Sequence, residues 1–150
     1  GDLEEPAPDP APDITALAAQ LRARHPDASV VVVDDDDLNR EVTVTLLEDC
    51  GLRVHTAVEG REAVDLVAHM PVDLVLMDVQ MPGMNGLDAT RQIRQQARGL
   101  RVPVIALSAN VFDEDRSRCL AAGMDDFIGR PCEATEMLAK VLHWLDRRTS

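Results

Sequence analysis

The sequence predicts an α/β fold: a five-stranded parallel sheet, doubly wound, with helices on both faces. Three observations predict it. Short aliphatic runs recur along the chain, at 29–33, 52–57, 74–77, 102–107 and 126–128. Segments with helical spacing of apolar residues separate them. The run Leu74, Val75, Leu76, Met77 shows no alternation with polar residues, the pattern of a strand covered on both faces. Strands alternating with helices imply right-handed crossovers, and therefore parallel strands.

The elements follow in order. Residues 1–12, GDLEEPAPDPAP, are rich in Pro and acid, bury little and suit an extended or flexible linker. Asp13 is a candidate cap for a short helix, Ile14 to Arg24, with Ile14, Leu17, Ala18 and Leu21 on one face. Ser29 to Val33 is a β-branched strand followed at once by Asp34, Asp35, Asp36 and Asp37, of which Asp37 is the expected helix cap. Leu38 to Cys50 is helical, with Leu38, Val42, Leu46 and Cys50 spaced by four and Gly51 as its left-handed stop. Leu52 to Ala57 is the second strand, and Gly60 to His69 a helix with Ala63, Leu66 and Val67 inward. The third strand ends on Asp78, and a helix from about Gly86 to Ala97 turns Leu87, Thr90 and Ile93 inward. Val102 to Leu107, a helix over 113–122 stopped by Gly123, and Asp126 to Ile128 come next. The last helix, Glu133 to Arg147, buries Met137, Leu138, Val141, Leu142 and Leu145. The organisation expected is a linker with a short helix over 1–28, a domain over 29–147 and a tail over 148–150.

Composition narrows the function classes. At 150 residues and 45% hydrophobic content the chain can bury one real core, and 2% aromatics make that core aliphatic. The net charge of -12 argues against nonspecific binding to nucleic acid or to an anionic membrane, and tolerates a metal ion. Cys50, Cys119 and Cys132 are odd in number and scattered, as expected of reduced thiols in a cytoplasmic protein. No apolar run reaches the ~20 residues of a membrane span, and the N-terminus lacks a signal-peptide pattern. No membrane contact is expected of this segment, although a parent protein could be anchored. The long leading linker points to a multidomain parent.

Parallel strands all end at one rim, where open α/β sheets bind ligands. That rim collects Asp34 and Asp35 after strand one, Asp78 after strand three, Ser108 after strand four and Arg130 after strand five. Alone, each reads as turn chemistry, a helix cap or a surface ion pair. Together, three carboxylates need a counter-charge. A hard divalent cation with oxygen ligands supplies one, Mg2+ fitting best, and Arg130 supplies another. A nucleophilic carboxylate, a metal and two donors facing a phosphate suit phosphoryl transfer.

At these residues the chain resembles the receiver domain of two-component response regulators. The resemblance rests on VVVDDDDLNR (31–40), LVLMDVQMPGMNGLDAT (74–90), VPVIALSAN (102–110) and CLAAGMDDFIGRP (119–131), and covers about Val30 to Leu145. The LNR and AAGMDDF segments look most like receivers attached to hybrid histidine kinases. The resemblance implies a flavodoxin-like (βα)5 receiver fold with strand order 2-1-3-4-5. It implies that Asp78 is the phosphoacceptor and, with Asp35 and the Gln80 backbone carbonyl, a Mg2+ ligand, Asp34 acting mainly through a bound water. Ser108 and the Ala109 backbone N–H would meet the phosphoryl oxygens. Phe127 takes the place of the aromatic switch and, lacking a hydroxyl, must switch by packing.

The implied partner is a histidine kinase or histidine phosphotransfer domain, docking near Leu38, Asn39 and Val42 and the Pro131–Cys132 loop. A dimer surface through the fourth crossover helix, strand five and the last helix is also implied, with output expected in another domain of the parent chain or in a separate partner. Such a receiver catalyses its own phosphoryl transfer and hydrolysis, and the parent chain could itself be a histidine kinase. One departure stands out: Arg130 precedes Pro131 where the family has Lys before a cis-linked Pro. Arg is not interchangeable with Lys at a close-packed site. A phosphorylation-independent interaction module is the alternative that this substitution raises. A dehalogenase-type phosphatase would want a second Asp at Gln80. A dinucleotide fold would want GxGxxG, and a flavin site more aromatics than Phe112, Phe127 and Trp144.

Overall fold

The computed structural model describes residues 13–80, 84–96, 101–109, 113–130 and 132–149. The expectations for the linker 1–12 and for the Pro131 peptide bond lie outside the described residues. The element order is α1 (Ile14–Arg24), β1 (Ser29–Val33), α2 (Asp37–Glu48), β2 (Arg53–Ala57), α3 (Gly60–His69), β3 (Leu74–Asp78), α4 (Gly86–Gln95), β4 (Val104–Ser108), α5 (Asp113–Ala122), β5 (Asp126–Gly129) and α6 (Ala134–Thr149). The strands form one parallel sheet in the order β2-β1-β3-β4-β5, the order expected.

Period-two alternation along the central strands divides the core in two. Val30, Val32, Leu74, Leu76, Ile105 and Leu107 point to one face, under Leu47 of α2 and Leu138, Val141 and Leu145 of α6. Val31, Val33, Val75, Met77, Val104 and Ala106 point to the other, under Val67 of α3, Ile93 of α4 and Cys119 of α5. All five residues of β3 are buried, so the unbroken apolar run ending in Asp78 is the centre of the sheet. Helix α1 lays Leu17 and Leu21 on the first face, where it packs against α6. Ile14, expected on that face, is 43% exposed. Next to the helix end, Arg24 and His25 both bond the Asp146 carboxylate, at 2.8 and 2.7 Å. The His25 hydrogen bond holds the Asp146 carboxyl below its ordinary value against the opposing effect of burial, with Arg24 assisting.

Several boundaries differ from the sequence reading for physical reasons. β4 starts at Val104 because Pro103 has no N–H for the ladder, although its carbonyl accepts from Val75. β5 runs on to Gly129, which pairs with Ser108. Asp36 caps α2, its carboxylate accepting the Asn39 N–H at 3.0 Å, while Asp37 lies inside the first turn and pairs with Arg40. On α2 the stripe spaced by four is not the core face. Each step of four overshoots the helical turn by about 40°, so the stripe spirals around the helix. It runs from Leu38 and Val42, 69% and 62% exposed, to the buried Cys50. Thr43 and Leu47 are the buried residues of this helix. Gly51 closes it with φ of +83°. On α3 Val64 is buried with Ala63 and Val67, and Leu66 only flanks the core; on α4 Ala89 is buried and Leu87 flanks it. Among the described residues no helix is long and apolar enough to cross a membrane.

The edge strand β5 is tied to α6 through a polar knot. Asp126 accepts from Trp144 Nε1–H at 2.8 Å and Lys140 Nζ at 3.1 Å, and Lys140 also donates to the Phe127 carbonyl. Burial raises the Asp126 pKa, but the bonds from Trp144, the Phe127 N–H and Lys140 outweigh it and hold the carboxyl below its ordinary value. A carboxylate depressed in the folded state stabilises the fold above its unfolded pKa of about 3.9, and that contribution fades as pH falls through the lowered value. Asp126→Asn is expected to cost about 2 kcal/mol at neutral pH by urea denaturation, with the gap to wild type closing below about pH 4. A gap unchanged by acid would contradict this account of the knot.

Candidate functional site

Strand register sets the site. β1 lies beside β3 with Val33 opposite Met77, so the next residues, Asp34 and Asp78, emerge side by side. β3 lies beside β4 with Asp78 opposite Leu107, and β4 beside β5 with Ser108 opposite Gly129. Arg130 therefore leaves the sheet at the same rim, its N–H donating to the Ser108 carbonyl at 2.9 Å.

The two central carboxylates are held alike. Asp34, fully buried, accepts the Asp36 N–H on Oδ1 at 2.9 Å and the Arg130 Nη2 on Oδ2. Asp78, 7% exposed, accepts the Gln80 N–H on Oδ1 at 3.0 Å, and its Oδ2 lies 3.7 Å from Arg130 Nη1. Asp35 is exposed beside them, and the three carboxylates offer ligand atoms within 4.8 Å of one another. Burial is the main reason the Asp78 carboxyl is pushed up to about 6. The Gln80 N–H and Arg130 pull it down, and the Asp34 and Asp35 charges push it further up.

The remaining candidates surround this cluster. Ser108 is buried as the last residue of β4, and Ala109 is exposed beyond it. Phe127 is half-buried on β5, with the Arg116 guanidinium carbon 5.4 Å from its ring centroid, within cation–π range. Sequence reading missed Arg116 and the Lys140–Trp144 knot. Partners on different elements leave no local spacing to find. Gly86 carried a signal that was read only as a helix start. A Cβ there would fall on the Asp78 carbonyl oxygen and 3.0 Å from Met77 Cγ.

Three carboxylates against one guanidinium leave two negative charges at the rim. All the ligand atoms are hard oxygens. A divalent cation such as Mg2+ fits that donor set and that deficit. Asp34, Asp35 and Asp78 are the side chains that could hold it.

A doubly wound parallel sheet with an acidic, cation-compatible cluster at its carboxyl rim defines the class: a flavodoxin-like α/β domain with a candidate metal site. The chain belongs to the response regulator receiver domain family, whose family model matches residues 30–142. It is 38% identical over 118 residues to the sensor histidine kinase GacS of Pseudomonas protegens, covering 77% of this chain and 13% of that protein. It is 38% identical over 105 residues to the sensor histidine kinase RcsC of Salmonella typhimurium, covering 70% of this chain and 11% of that protein. Among solved structures, the receiver domain of sensor histidine kinase PA1611 from Pseudomonas aeruginosa superposes with a TM-score of 0.75 at 36% identity. The match covers 79% of this chain and 98% of that one, and that structure holds a magnesium ion coordinated in its active-site cleft. The chain thus spans only a small part of the sensor kinases it matches.

Gly86→Ala is expected to destabilise the fold by about 2 kcal/mol, because the carbonyl it meets is backbone and cannot turn away. Thermal unfolding checks the loss, and amide shifts at Asp78 and Val79 should move with it. A neutral substitution would show that the β3–α4 junction has slack.

Proposed function

We propose that Asp78 accepts a phosphoryl group from a phosphohistidine, and that this chain is the receiver segment of a hybrid sensor histidine kinase in a phosphorelay. The observation that carries the reading is the convergence of Asp34, Asp35, Asp78, Ser108 and Arg130 at one strand rim. The kinase origin is supported by relatives that are sensor kinases, of which the chain spans 13% and 11%.

In the chemistry proposed, an Asp78 carboxylate oxygen attacks phosphorus and the P–N bond to the donor imidazole breaks. Its electron pair returns to the ring nitrogen, which takes a proton. The product is an acyl phosphate on Asp78. Water attack on that phosphorus later releases inorganic phosphate. Little covalent work falls to the protein, whose task is positioning and neutralisation of charge. The Gln80 N–H orients Asp78 through Oδ1 and leaves Oδ2 facing the rim. Ser108 and the Ala109 N–H are assigned as donors to the phosphoryl oxygens. Arg130 is assigned as their guanidinium partner, able to bind two oxygens at once. Asp35, Asp78 and the Gln80 carbonyl, with Asp34 through a water, would hold Mg2+, which would supply further neutralisation of phosphate charge.

Phosphorylation is read out in this proposal as a population shift. Phe127 moves by packing against Arg116, and the face of α5, β5 and α6 changes its affinity for a partner or a second copy. The donor is assigned to the cleft lined by Leu38, Asn39, Val42, Ala109 and Cys132, which opens beside Arg130. Leu38 and Val42 expose apolar surface there for a helix of a phosphotransfer bundle. The module reading, independent of phosphorylation, rested on Arg130 and is not favoured. Arg130 keeps its guanidinium on the Asp34 carboxylate, so the rim retains its cation.

Incubation with phosphoramidate and Mg2+ is expected to add one phosphoryl group to the wild-type chain and none to Asp78→Asn, read by intact-protein mass. Equal labelling of both would place the acceptor elsewhere. Leu38→Glu is expected to lower transfer from a phosphorylated histidine phosphotransfer domain about tenfold relative to labelling by phosphoramidate. An unchanged ratio would move the docking surface off α2.

A further inference from the structure

We propose that helix α1 is a detachable brace: it undocks from the domain while the sheet stays folded, and its docked state supports β5 and the rim. The consequence for labelling of Asp78 rests on the reading of Asp78 as phosphoacceptor; the brace itself does not.

The contact is small and has its own boundary. Of the eleven residues of α1 only Leu17 and Leu21 are buried. They share an apolar cluster with Leu138, Val141, Leu142 and Leu145 of α6. Toward α2 the fit is looser, and a groove lined by Ile14, Thr15, Ala18, Leu46, Cys50 and Leu138 runs along the contact. A helix of this length does not hold its shape alone in water. Two leucines and a few polar bonds offset the ordering of α1, and elements held so lightly open below the global unfolding free energy. A fixed pivot lets the helix leave without the strand that follows it. The Asp27 N–H donates to the Gly51 carbonyl at 3.1 Å, and the Ala28 carbonyl accepts the Arg53 N–H at 2.9 Å. Asp27 itself turns the chain with φ of +61°. β1 is thus anchored beside β2 independently of α1. The residues that the family model matches, 30–142, take in the sheet from Val30 on and leave α1 out.

One stretch of α6 grips both α1 and β5. Asp146 accepts from Arg24 Nη1 at 2.8 Å and bonds His25 Nε2 at 2.7 Å. His25 is buried, so this pair closes the end of α1 against the domain. Close by on α6, Trp144 donates to Asp126 at 2.8 Å, and Lys140 donates to Asp126 at 3.1 Å and to the Phe127 carbonyl. Asp126 and Phe127 open β5, the strand that leads to Arg130 and its bond with Asp34. Release of α1 bares the apolar side of α6 and removes two bonds from Asp146, which loosens the turns that hold β5. The coupling is reciprocal. An event on the chain ahead of Ile14 that frees α1 changes the rim, and an event at the rim changes how readily α1 leaves.

The full chain is compared with Leu17→Ala and Leu21→Asp, both on α1 and outside β5 and the rim. Native-state hydrogen exchange reads the docking of α1. Its amides in wild type are expected to exchange at least about tenfold faster than those of β3, and faster again in both variants. Leu21→Asp is expected to keep the protection of β1 and β3 while the amides of Phe127 and Arg130 shift. With phosphoramidate and Mg2+, labelling at Asp78 is expected to slow about threefold in Leu21→Asp. Loss of the sheet together with α1 in Leu21→Asp, α1 amides as slow as β3 in wild type, or unmoved Phe127 and Arg130 amides would each overturn the brace. Labelling of Leu21→Asp at the wild-type rate would overturn its effect on the reaction. A wild-type chain that takes no label would instead overturn the phosphoacceptor reading, and the amide shifts alone would then decide the brace.

Discussion

Two carboxylates brought side by side in a buried rim are the constraint on which this structure turns. The register of β1 against β3 leaves no choice about it. Val33 opposite Met77 delivers Asp34 and Asp78 together, one fully buried and the other nearly so. Like charges at such a site demand fixed donors. The chain supplies backbone N–H groups two residues on, at Asp36 and Gln80, and a guanidinium from β5 across the sheet. Burial and fixed donors are opposed here. Burial raises the Asp78 pKa, while the Gln80 N–H and Arg130 pull it down.

The rim is held from both flanks. Gly86 lets α4 start against the Asp78 carbonyl, where any side chain would collide. β5, a short strand at the sheet edge, gains its hold from α6 through Lys140, Trp144 and Asp126. That knot lies one residue from Phe127 and four from Arg130, so α6 supports both the aromatic position and the cation. Helix α1 packs on α6 in turn, with Leu17 and Leu21 buried and Asp146 held by Arg24 and His25. It lies outside the span matched by the family model. A segment leading into the domain is therefore in contact with the helix that braces the rim.

Much of the fold was legible because its signals are local. Apolar runs of strand length, helical spacing and glycine stops need only neighbouring residues, and they placed the five strands and six helices of the described residues to within a few positions. The errors were also physical. The four-residue stripe on α2 was followed as if the helix had four residues per turn, and drift carried Leu38 and Val42 out to solvent. Asp36 and Asp37 are equally good caps by residue type, and only backbone geometry separates them. The carboxylate cluster was legible for a different reason. Parallel topology sends every strand end to one rim, so residues far apart in sequence could be grouped without coordinates.

The sequence by itself determined the alternation of elements, the parallel sheet and the acidic identity of its rim, because hydrophobic periodicity and crossover handedness admit few alternatives. Only the tertiary structure decided who pairs with whom. Arg130 could have faced solvent or the rim, and it took Asp34 and Asp78. Phe127 could have lacked a partner, and it lies beneath Arg116. These contacts join side chains on different elements, at distances set by sheet register and helix packing. No spacing along the chain encodes them.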